Sequence, residues 1–118
     1  CIRDSTASTE ERSAFWTGLF SSIARYESTW NPEAKGGGGR YLGLMQISPT
    51  TARYVGCDET ASGLYDGASN LACAVKIAAR KADRAGVAEV VSDWGPMHDP
   101  AKRAQISKWT RTQAYCQV

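Results

Sequence analysis

The chain has 118 residues, a length that favours one domain built around a single hydrophobic core. Hydrophobic residues make up 42% of it and charged residues 22%, as in ordinary globular proteins, which argues against a disordered or fibrous chain. The net charge of +2 is slight and dispersed, so we expect no nucleic-acid partner, and no apolar run approaches the roughly 20 residues that cross a bilayer.

The first predicted helix begins near Ser8 or Thr9, where a capping hydroxyl precedes two glutamates. Asn31-Pro32 is expected to end it, because a residue before proline disfavours the helical conformation. The apolar residues in between recur at the i, i+3, i+4, i+7 spacing of one buried face, and they are Phe15, Trp16, Leu19, Phe20, Ile23 and Tyr26.

A hairpin is predicted after this helix. Four consecutive glycines lie between Lys35 and Arg40 and indicate a tight turn, so we place the small strand content of the chain around residues 36 to 45. A loop that cradles phosphate is the alternative for such glycines, but no Gly-Lys-Ser/Thr follows them.

The rest of the chain is predicted to be helical, which makes the fold class mainly α. Ser48-Pro49, a capping serine followed by proline, starts a second short helix that stops at Gly56. Later helices are expected near residues 69 to 86, over 87 to 94, and from Asp99-Pro100 onward.

The chain has four cysteines, an even number: Cys1, Cys57, Cys73 and Cys116. None of them has the C-x-x-C spacing of a zinc or thioredoxin site. We therefore predict two disulfides in an oxidising compartment, Cys57–Cys73 and Cys1–Cys116. The other pairings and a lipid-modified Cys1 are the alternatives. No segment resembles a signal peptide, so an export signal, if the gene encodes one, lies outside this sequence. With His98 as the sole histidine we predict no metal site.

Glu27 does not fit the apolar face on which it lies, four residues after Ile23. A carboxylate there loses hydration unless it pairs with a cation or keeps its proton. One interpretation is exposure, or an ion pair with Arg25, Arg40 or Lys35. The other is a carboxylic acid with a raised pKa that can donate a proton near neutral pH, as in lysozymes. Periodicity does not choose between them.

Two strings resemble the soluble lytic transglycosylase family: ESTWNP at residues 27–32, and GLMQISPTTA at 43–52 with Gly56 after it. In that family the first string carries the catalytic glutamate and Gly-Leu-Met-Gln forms the floor of the sugar groove. Asn70-Leu71 and the alanine-rich segment after it resemble a third family motif, so the resemblance covers residues 27 to about 80.

The resemblance implies a compact lysozyme-like fold with a short hairpin beside a cleft, and a single catalytic domain over residues 1–118. It implies cleavage of peptidoglycan glycan strands at the β-1,4 bond between N-acetylmuramic acid (MurNAc) and N-acetylglucosamine (GlcNAc). Glu27 would protonate the leaving oxygen, then take a proton from the 6-hydroxyl of the sugar as a 1,6-anhydro ring closes. No cofactor and no second carboxylate is required, since the N-acetyl group of the substrate assists.

The resemblance also assigns residues to the sugar groove. Gln46 is expected to hydrogen-bond an N-acetyl or hydroxyl group, with a solvated turn residue as the alternative. Met45 would line the groove or belong to the core. Ser28 either orients the Glu27 carboxyl or caps the helix end. Asn70 either braces the cleft or, as we favour slightly, caps its helix.

Aromatic residues either stack on sugar rings or fill the core. We assign Tyr41 to the groove and expect Trp30 and Tyr54 in the core. Goose-type lysozymes, which resemble the same fold, carry extra aspartates in the hairpin before Gly-Leu-Met-Gln. Residues 33–42 contain no aspartate, which favours a transglycosylase.

One family motif, Tyr-Asn-Ala-Gly-Pro, is replaced here by SDWGP at residues 92–96. Serine stands where the family has a tyrosine that contacts the catalytic glutamate, so Trp94 or Tyr115 would supply the missing apolar wall beside Glu27, and Trp94 is expected among the substrate-binding residues. Asp93 and Asp99 are candidates for a second carboxylate. Such a group would activate water and make the enzyme a hydrolysing lysozyme, whereas helix caps are the alternative role for both.

Two other functions stay open. One is a hydrolysing lysozyme that acts on the same bond, and the other is an inactive peptidoglycan-binding or assembly module. Lysozyme-like domains of this size occur in secretion systems, as effectors and in phages, and the sequence does not choose among these contexts. We expect a monomer without membrane insertion, in the periplasm or secreted.

Overall fold

The structure, a computed structural model, describes residues 8–58, 60–85 and 94–116. Within these ranges the chain is mainly helical, as predicted, with one two-stranded antiparallel hairpin. The helices are α1 (Thr9–Ser28), α2 (Pro49–Val55), α3 (Ala61–Tyr65), α4 (Gly67–Ala85) and α5 (Pro100–Arg111), and the strands are β1 (Lys35–Gly36) and β2 (Tyr41–Leu42). Short 3-10 turns cover Gly37–Gly39, Gly95–His98 and Ala114–Cys116. None of the described helices is long and apolar enough to cross a membrane.

Three helices begin at the capping residues that the sequence predicts. The hydroxyl of Ser8 accepts a hydrogen bond from the Glu11 N–H, and the Glu11 carboxylate accepts one from the Ser8 N–H. Ser48 caps α2, and the Asp99 carboxylate caps α5. Each of these side chains accepts hydrogen bonds from N–H groups that the first turn of a helix leaves without partners. Such a cap typically stabilises the folded protein by about 1 kcal/mol.

Other boundaries differ from the prediction. α4 begins at Gly67 rather than near Ser69, and α3, with five residues, is too short to show a helical period in the sequence. Trp94, which we expected to end a helix, is extended, with φ −118° and ψ 128°. The rest of that expected helix, residues 87–93, lies outside the described residues.

The predicted hairpin is confirmed: Lys35 pairs with Leu42 and Gly36 with Tyr41. Its tip is the run of glycines at 37–39, whose φ angles are +56°, +71° and +93°. An L side chain rarely adopts these angles, whereas glycine adopts them without penalty. The backbone conformation of the tip therefore explains why the turn consists of consecutive glycines.

The core is one cluster of buried side chains from α1, the hairpin, α4 and the segment from Trp94 to α5. Leu19, Phe20 and Ile23 carry the buried face of α1, as its periodicity predicts. α1 packs against the 95–98 turn and α5, while α4 packs against α2 and α3. The last turn of α1, which holds Glu27, therefore lies at the junction with the C-terminal part of the chain.

The predicted disulfide between Cys57 and Cys73 is confirmed, and it joins the end of α2 to α4. The two cysteines are 16 residues apart, so closing the loop contributes about 3 kcal/mol in the chain-entropy account. Cys116 is disulfide-bonded as well. Cys1, its predicted partner, lies outside the described residues.

Asn70 is fully buried and joins three segments that meet below the hairpin. Its Oδ1 accepts the N–H of Met45 at 2.9 Å, and its Nδ2 donates to the carbonyls of Leu42 at 3.0 Å and Leu64 at 2.9 Å. A Cβ on Gly43, which has φ +80°, would lie 2.2 Å from the Leu64 carbonyl oxygen and 2.3 Å from Asn70 Nδ2. The turn after β2 therefore requires the side-chain amide of Asn70 and a residue without a side chain at position 43.

Gly43→Ala is expected to lower the free energy of unfolding by about 3 kcal/mol or more, because the new methyl group displaces buried hydrogen-bonding groups. Gly38→Ala is the matched control, since Gly38 has a similar φ of +71° and nothing within 4 Å of its Cβ position. It should cost only the backbone strain of about 1–2 kcal/mol. Urea denaturation measures both, and equal losses would contradict the close approach of Gly43 to Asn70.

Candidate active site

Glu27 lies half-buried in the last turn of α1, where the 95–98 turn and α5 pack against that helix. Its carboxylate accepts a hydrogen bond from the backbone of Gly95. A Cβ on Gly95 would lie 4.0 Å from Glu27 Oε1, so glycine leaves open space beside the carboxyl group. Gly95 therefore lies at the site, although in the sequence it is distinguished only as part of the SDWGP string.

Burial raises the pKa of Glu27 above the ordinary value, because the charged form loses hydration in this position. The hydrogen bond from Gly95 and the positive charge of Lys102 on α5 act in the opposite direction and lower the pKa, but burial outweighs them. The cation that acts on Glu27 is thus Lys102, and not one of the predicted ion-pair partners Arg25, Arg40 and Lys35. Burial and the raised pKa agree with the carboxylic-acid interpretation, which stays a prediction.

Trp94 packs in the core against α1, the helix that carries Glu27. Its ring meets that of Phe20 edge to face, with centroids 5.5 Å apart, and Phe20 precedes Glu27 by seven residues on the same helix face. The indole is buried, so it belongs to the core and presents no face on which a sugar ring could stack. Trp94 therefore contributes apolar surface to the core. The direct contact with substrate that we expected of it does not match its burial.

Ser28 is buried next to Glu27 in the chain, but its hydroxyl donates to the Ala24 carbonyl within α1, at 3.1 Å. The proton of that hydroxyl is thus used by the helix backbone and is not offered to the Glu27 carboxylate. The cap at the end of α1 is Thr29, in the left-handed conformation. Neither of the two roles predicted for Ser28 describes this hydrogen bond.

The side chain of Gln46 connects the turn after β2 to the segment before β1 through hydrogen bonds. Its Nε2 donates to the carbonyls of Gly43 at 2.9 Å and Ala34 at 3.2 Å. Its Oε1 lies against Gly36, where a Cβ would approach it to 2.2 Å. The predicted contact with a sugar stays a prediction, and the structure adds a bracing role that the sequence did not indicate.

Met45 and Asn70 are fully buried, so neither side chain reaches the protein surface. Met45 belongs to the core, and only its backbone contributes to the turn that Asn70 holds. The helix-cap role that we favoured for Asn70 is wrong, because its side chain bonds to residues outside α4. At the start of α4 it is Asp66 whose carboxylate accepts an N–H, that of Ser69.

Exposed aromatic rings lie at several positions. Tyr41, on β2, is exposed, with the Arg40 guanidinium 5.6 Å from the centre of its ring, and its groove role stays a prediction. The core positions that we predicted for Trp30 and Tyr54 are wrong, since both are more than half exposed. Tyr54 stacks with Arg80, whose guanidinium lies 4.4 Å from the ring centre.

Of the two candidate second carboxylates, the structure describes Asp99. Asp99 accepts hydrogen bonds from the N–H groups of Ala101 and Lys102 as the cap of α5, which supports the helix-cap alternative. Asp93 and the Tyr115 side chain lie outside the described part of the chain. Within that part, no three His, Cys, Asp or Glu side chains are grouped so as to hold a metal ion.

The sequence matches the transglycosylase SLT domain family over residues 4–94. This range contains Glu27 and the turn after β2, but not Gly95 or Lys102, the two residues that tune the pKa of Glu27. No curated protein matches the chain.

Solved structures of Bd0314 DslA share the fold. One Glu-to-Gln mutant superimposes with a TM-score of 0.80 at 25% identity, and a wild-type form with 0.78 at 25% identity. A second Glu-to-Gln mutant gives 0.80 at 23% identity. In each case the alignment covers 96% of this chain and 74% of the other. The compact lysozyme-like fold that the sequence predicts is therefore confirmed.

Glu27→Gln is expected to be more stable than the wild type at pH 8, because the glutamine removes the cost of a poorly hydrated charge. The raised pKa means that the folded state holds the proton more tightly than the unfolded one, whose pKa is near 4.5. Wild-type stability should therefore fall as the pH rises from about 4.5 through the folded-state pKa. Below 4.5 the two proteins should converge.

Thermal unfolding between pH 4 and pH 8 measures this difference. Glu33→Gln is the matched control, because Glu33 is an exposed glutamate in a loop and its replacement should give no such pH-dependent difference. A Glu27→Gln difference that grew on acidification would contradict a carboxyl group whose pKa burial has raised.

Proposed function

The chain belongs to the transglycosylase SLT domain family, and we propose that it cleaves the glycan strands of peptidoglycan as a lytic transglycosylase with Glu27 as acid and base. The observation that carries the proposal is the half-buried Glu27 carboxyl, whose pKa burial raises while Gly95 and Lys102 restrain the increase. A group that must first give up a proton and then take one works best when its pKa lies near the working pH.

In the first step, protonated Glu27 would donate its proton to the oxygen that links MurNAc to GlcNAc, and the bond to the MurNAc C1 breaks. In the second, the carboxylate would accept the proton of the MurNAc 6-hydroxyl while that oxygen bonds to C1 and closes the 1,6-anhydro ring. Glu27 is then protonated again and no water is consumed. Burial favours the acid required first, and Gly95 and Lys102 stabilise the carboxylate required second.

The position of Asp99 supports a transglycosylase over a hydrolysing lysozyme. A lysozyme that inverts or retains through a second carboxylate needs that group facing the sugar or a water molecule. The Asp99 carboxylate is instead engaged by two N–H groups of α5. Asp93 is then the carboxylate on which a hydrolysing mechanism would depend.

We further propose that residues 1–118 act as a single catalytic domain and as a monomer, in the periplasm or outside the cell. The disulfide between Cys57 and Cys73 supports an oxidising compartment, where such bonds persist. Peptidoglycan lies in the same compartment, so the substrate and the redox environment agree. The proposal needs no cofactor, because Glu27 transfers the protons and the N-acetyl group of the substrate assists.

Digestion of purified peptidoglycan, followed by mass spectrometry of the released muropeptides, tests the activity. The wild type should release products that end in 1,6-anhydro-MurNAc, one water lighter than reducing ends. Glu27→Gln should be slower by about 100-fold or more, since general acid catalysis typically contributes 10²–10⁴-fold. Asp99→Asn is the matched control, because asparagine caps a helix as well as aspartate, and it should stay active.

Reducing-end products, together with a loss of activity in Asp99→Asn or Asp93→Asn, would show a lysozyme instead. A wild type that releases nothing under conditions in which it is folded would leave only a binding or assembly role.

Lys102→Met is expected to shift the alkaline limb of the pH–rate profile to higher pH. Removing the cation removes an influence that lowers the pKa of Glu27, so the acid stays protonated to higher pH. Lys108→Met, on the exposed last turn of α5, is the control and should leave the profile unchanged. An unchanged or acid-shifted limb in Lys102→Met would contradict the role of Lys102.

A further inference from the structure

The first turn of α5 packs against the last turns of α1, where Tyr26 and Glu27 are neighbours. Successive residues of a helix point about 100° apart, so the two side chains lie on adjacent faces of α1. Lys102 acts on both of them: its charge lowers the pKa of Glu27, and its Nζ lies 5.6 Å from the centre of the Tyr26 ring. Lys102 therefore links the proposed catalytic carboxyl to an aromatic side chain that the proposed mechanism does not use.

The position of Lys102 within α5 is unfavourable for a cation. It is the third residue of that helix, where the N–H groups of the first turn carry partial positive charge. No acidic residue lies in this first turn, and the Asp99 cap accepts the backbone N–H of Lys102 at 3.2 Å. A lysine at this position is stabilised by electron-rich groups on the neighbouring helix, and α1 provides them.

The ring of Tyr26 is one of these groups. The face of an aromatic ring attracts an ammonium that lies within about 6 Å of its centre, and Lys102 is inside that range. Both side chains are half-buried, so water screens this attraction less than on an open surface. The Arg25 guanidinium lies 5.5 Å from the same ring, but Arg25 belongs to α1 and does not join the two helices.

A hydrogen bond fixes the same ring relative to α5. The Tyr26 hydroxyl donates to Oε1 of Gln105. Gln105 follows Lys102 by three residues, so the two side chains lie on the same face of α5. The hydrogen bond and the ring contact therefore hold one face of α5 against Tyr26, directly beside Glu27.

Loss of the ring contact is expected to weaken the effect of Lys102 on Glu27. Lysine has a flexible stem of four carbons and a strongly hydrated head group. Released from the ring, the ammonium would move into water, where its charge is screened. The carboxylate of Glu27 would then be stabilised less, and its pKa would rise.

Other charged side chains lie on the elements that pack against α1. The 114–116 turn contributes no Lys, Arg, Asp or Glu, whereas the 95–98 turn and α5 carry His98, Arg103, Lys108 and Arg111. Among the described residues, Lys102 is the one whose charge changes the pKa of Glu27. A test of positioning can therefore focus on this one cation.

We propose that Tyr26 is a positioning residue: its ring holds the Lys102 ammonium beside Glu27, while the bond from its hydroxyl to Gln105 keeps α5 in place for that contact. The role of Glu27 as acid and base rests on the proposed function. The positioning of Lys102 rests on the contacts between α1 and α5 alone.

NMR titration of the Glu27 side-chain carboxyl measures its pKa without requiring activity. In Tyr26→Leu the pKa should rise, by no more than it rises in Lys102→Met, because the ring acts through that ammonium. Tyr26→Phe keeps the ring and should titrate like the wild type. Tyr54→Leu is the matched control: a cation, Arg80, also contacts this tyrosine, but on α2, so the titration of Glu27 should not change.

A double variant separates positioning from a direct effect of the ring on the carboxyl. In the Lys102→Met background, Tyr26→Leu should cause no further rise in the pKa of Glu27, because the cation that the ring holds is gone. A rise of equal size with and without Lys102 would overturn the proposal, and so would a fall or no change in Tyr26→Leu.

Circular dichroism verifies that each variant is folded. Should Tyr26→Leu not fold, the wild type itself provides the test, through nuclear Overhauser contacts between the Tyr26 ring and the Lys102 side chain. Their presence supports the contact that the proposal requires, and their absence contradicts it.

The failure of this proposal differs from a failure of the proposed function. If the wild type cleaves peptidoglycan but Tyr26→Leu leaves the titration of Glu27 unchanged, the positioning fails and the function stands. If nothing is cleaved but Tyr26→Leu raises the pKa through Lys102, the positioning stands and the function fails. If both hold, the alkaline limb of the pH–rate profile should move to higher pH in Tyr26→Leu, as in Lys102→Met.

Discussion

The buried amide of Asn70 connects the strand β2, the turn that follows it and the end of α3 through three hydrogen bonds. An amide deprived of these partners would leave donors and acceptors unsatisfied in the core, at a cost of about 1–3 kcal/mol for each group. The turn can approach so closely only because Gly43 has no side chain. The buried side chain of Asn70 therefore fixes the position of the hairpin and of the turn that carries Gln46, although no ligand can contact it.

The pKa of Glu27 depends on a balance between solvation and charge. α1 places the carboxyl at the edge of the core, where lost hydration raises its pKa. Gly95 and Lys102, both from the C-terminal part of the chain, limit that increase. A deeper carboxyl would hold its proton too firmly to act as a base, and an exposed one would lose it too easily to act as an acid. The packing of α5 on α1 thus controls the group that would carry the reaction.

Aromatic residues divide between the core and the surface in a way that hydrophobicity alone does not predict. Trp94 packs against Phe20 and is buried, whereas Trp30 and Trp109 remain exposed. Trp30 follows the left-handed cap of α1, so its direction is set by the backbone and by the bond from its Nε1 to Ser21. Where the chain turns out of a helix, the periodicity that predicts burial no longer applies.

The sequence by itself determined the local features, because the atoms that decide them are close together in the chain. The helix starts at Ser8, Ser48 and Asp99 are of this kind, and so is the glycine hairpin, whose positive φ angles favour glycine. The sequence also identified the family and the unusual glutamate through motifs. Only the tertiary structure decided that Lys102 acts on that glutamate and that Asn70 braces a turn rather than a helix end. These interactions join residues far apart in the sequence, and no local pattern encodes which distant groups the packing of helices brings together.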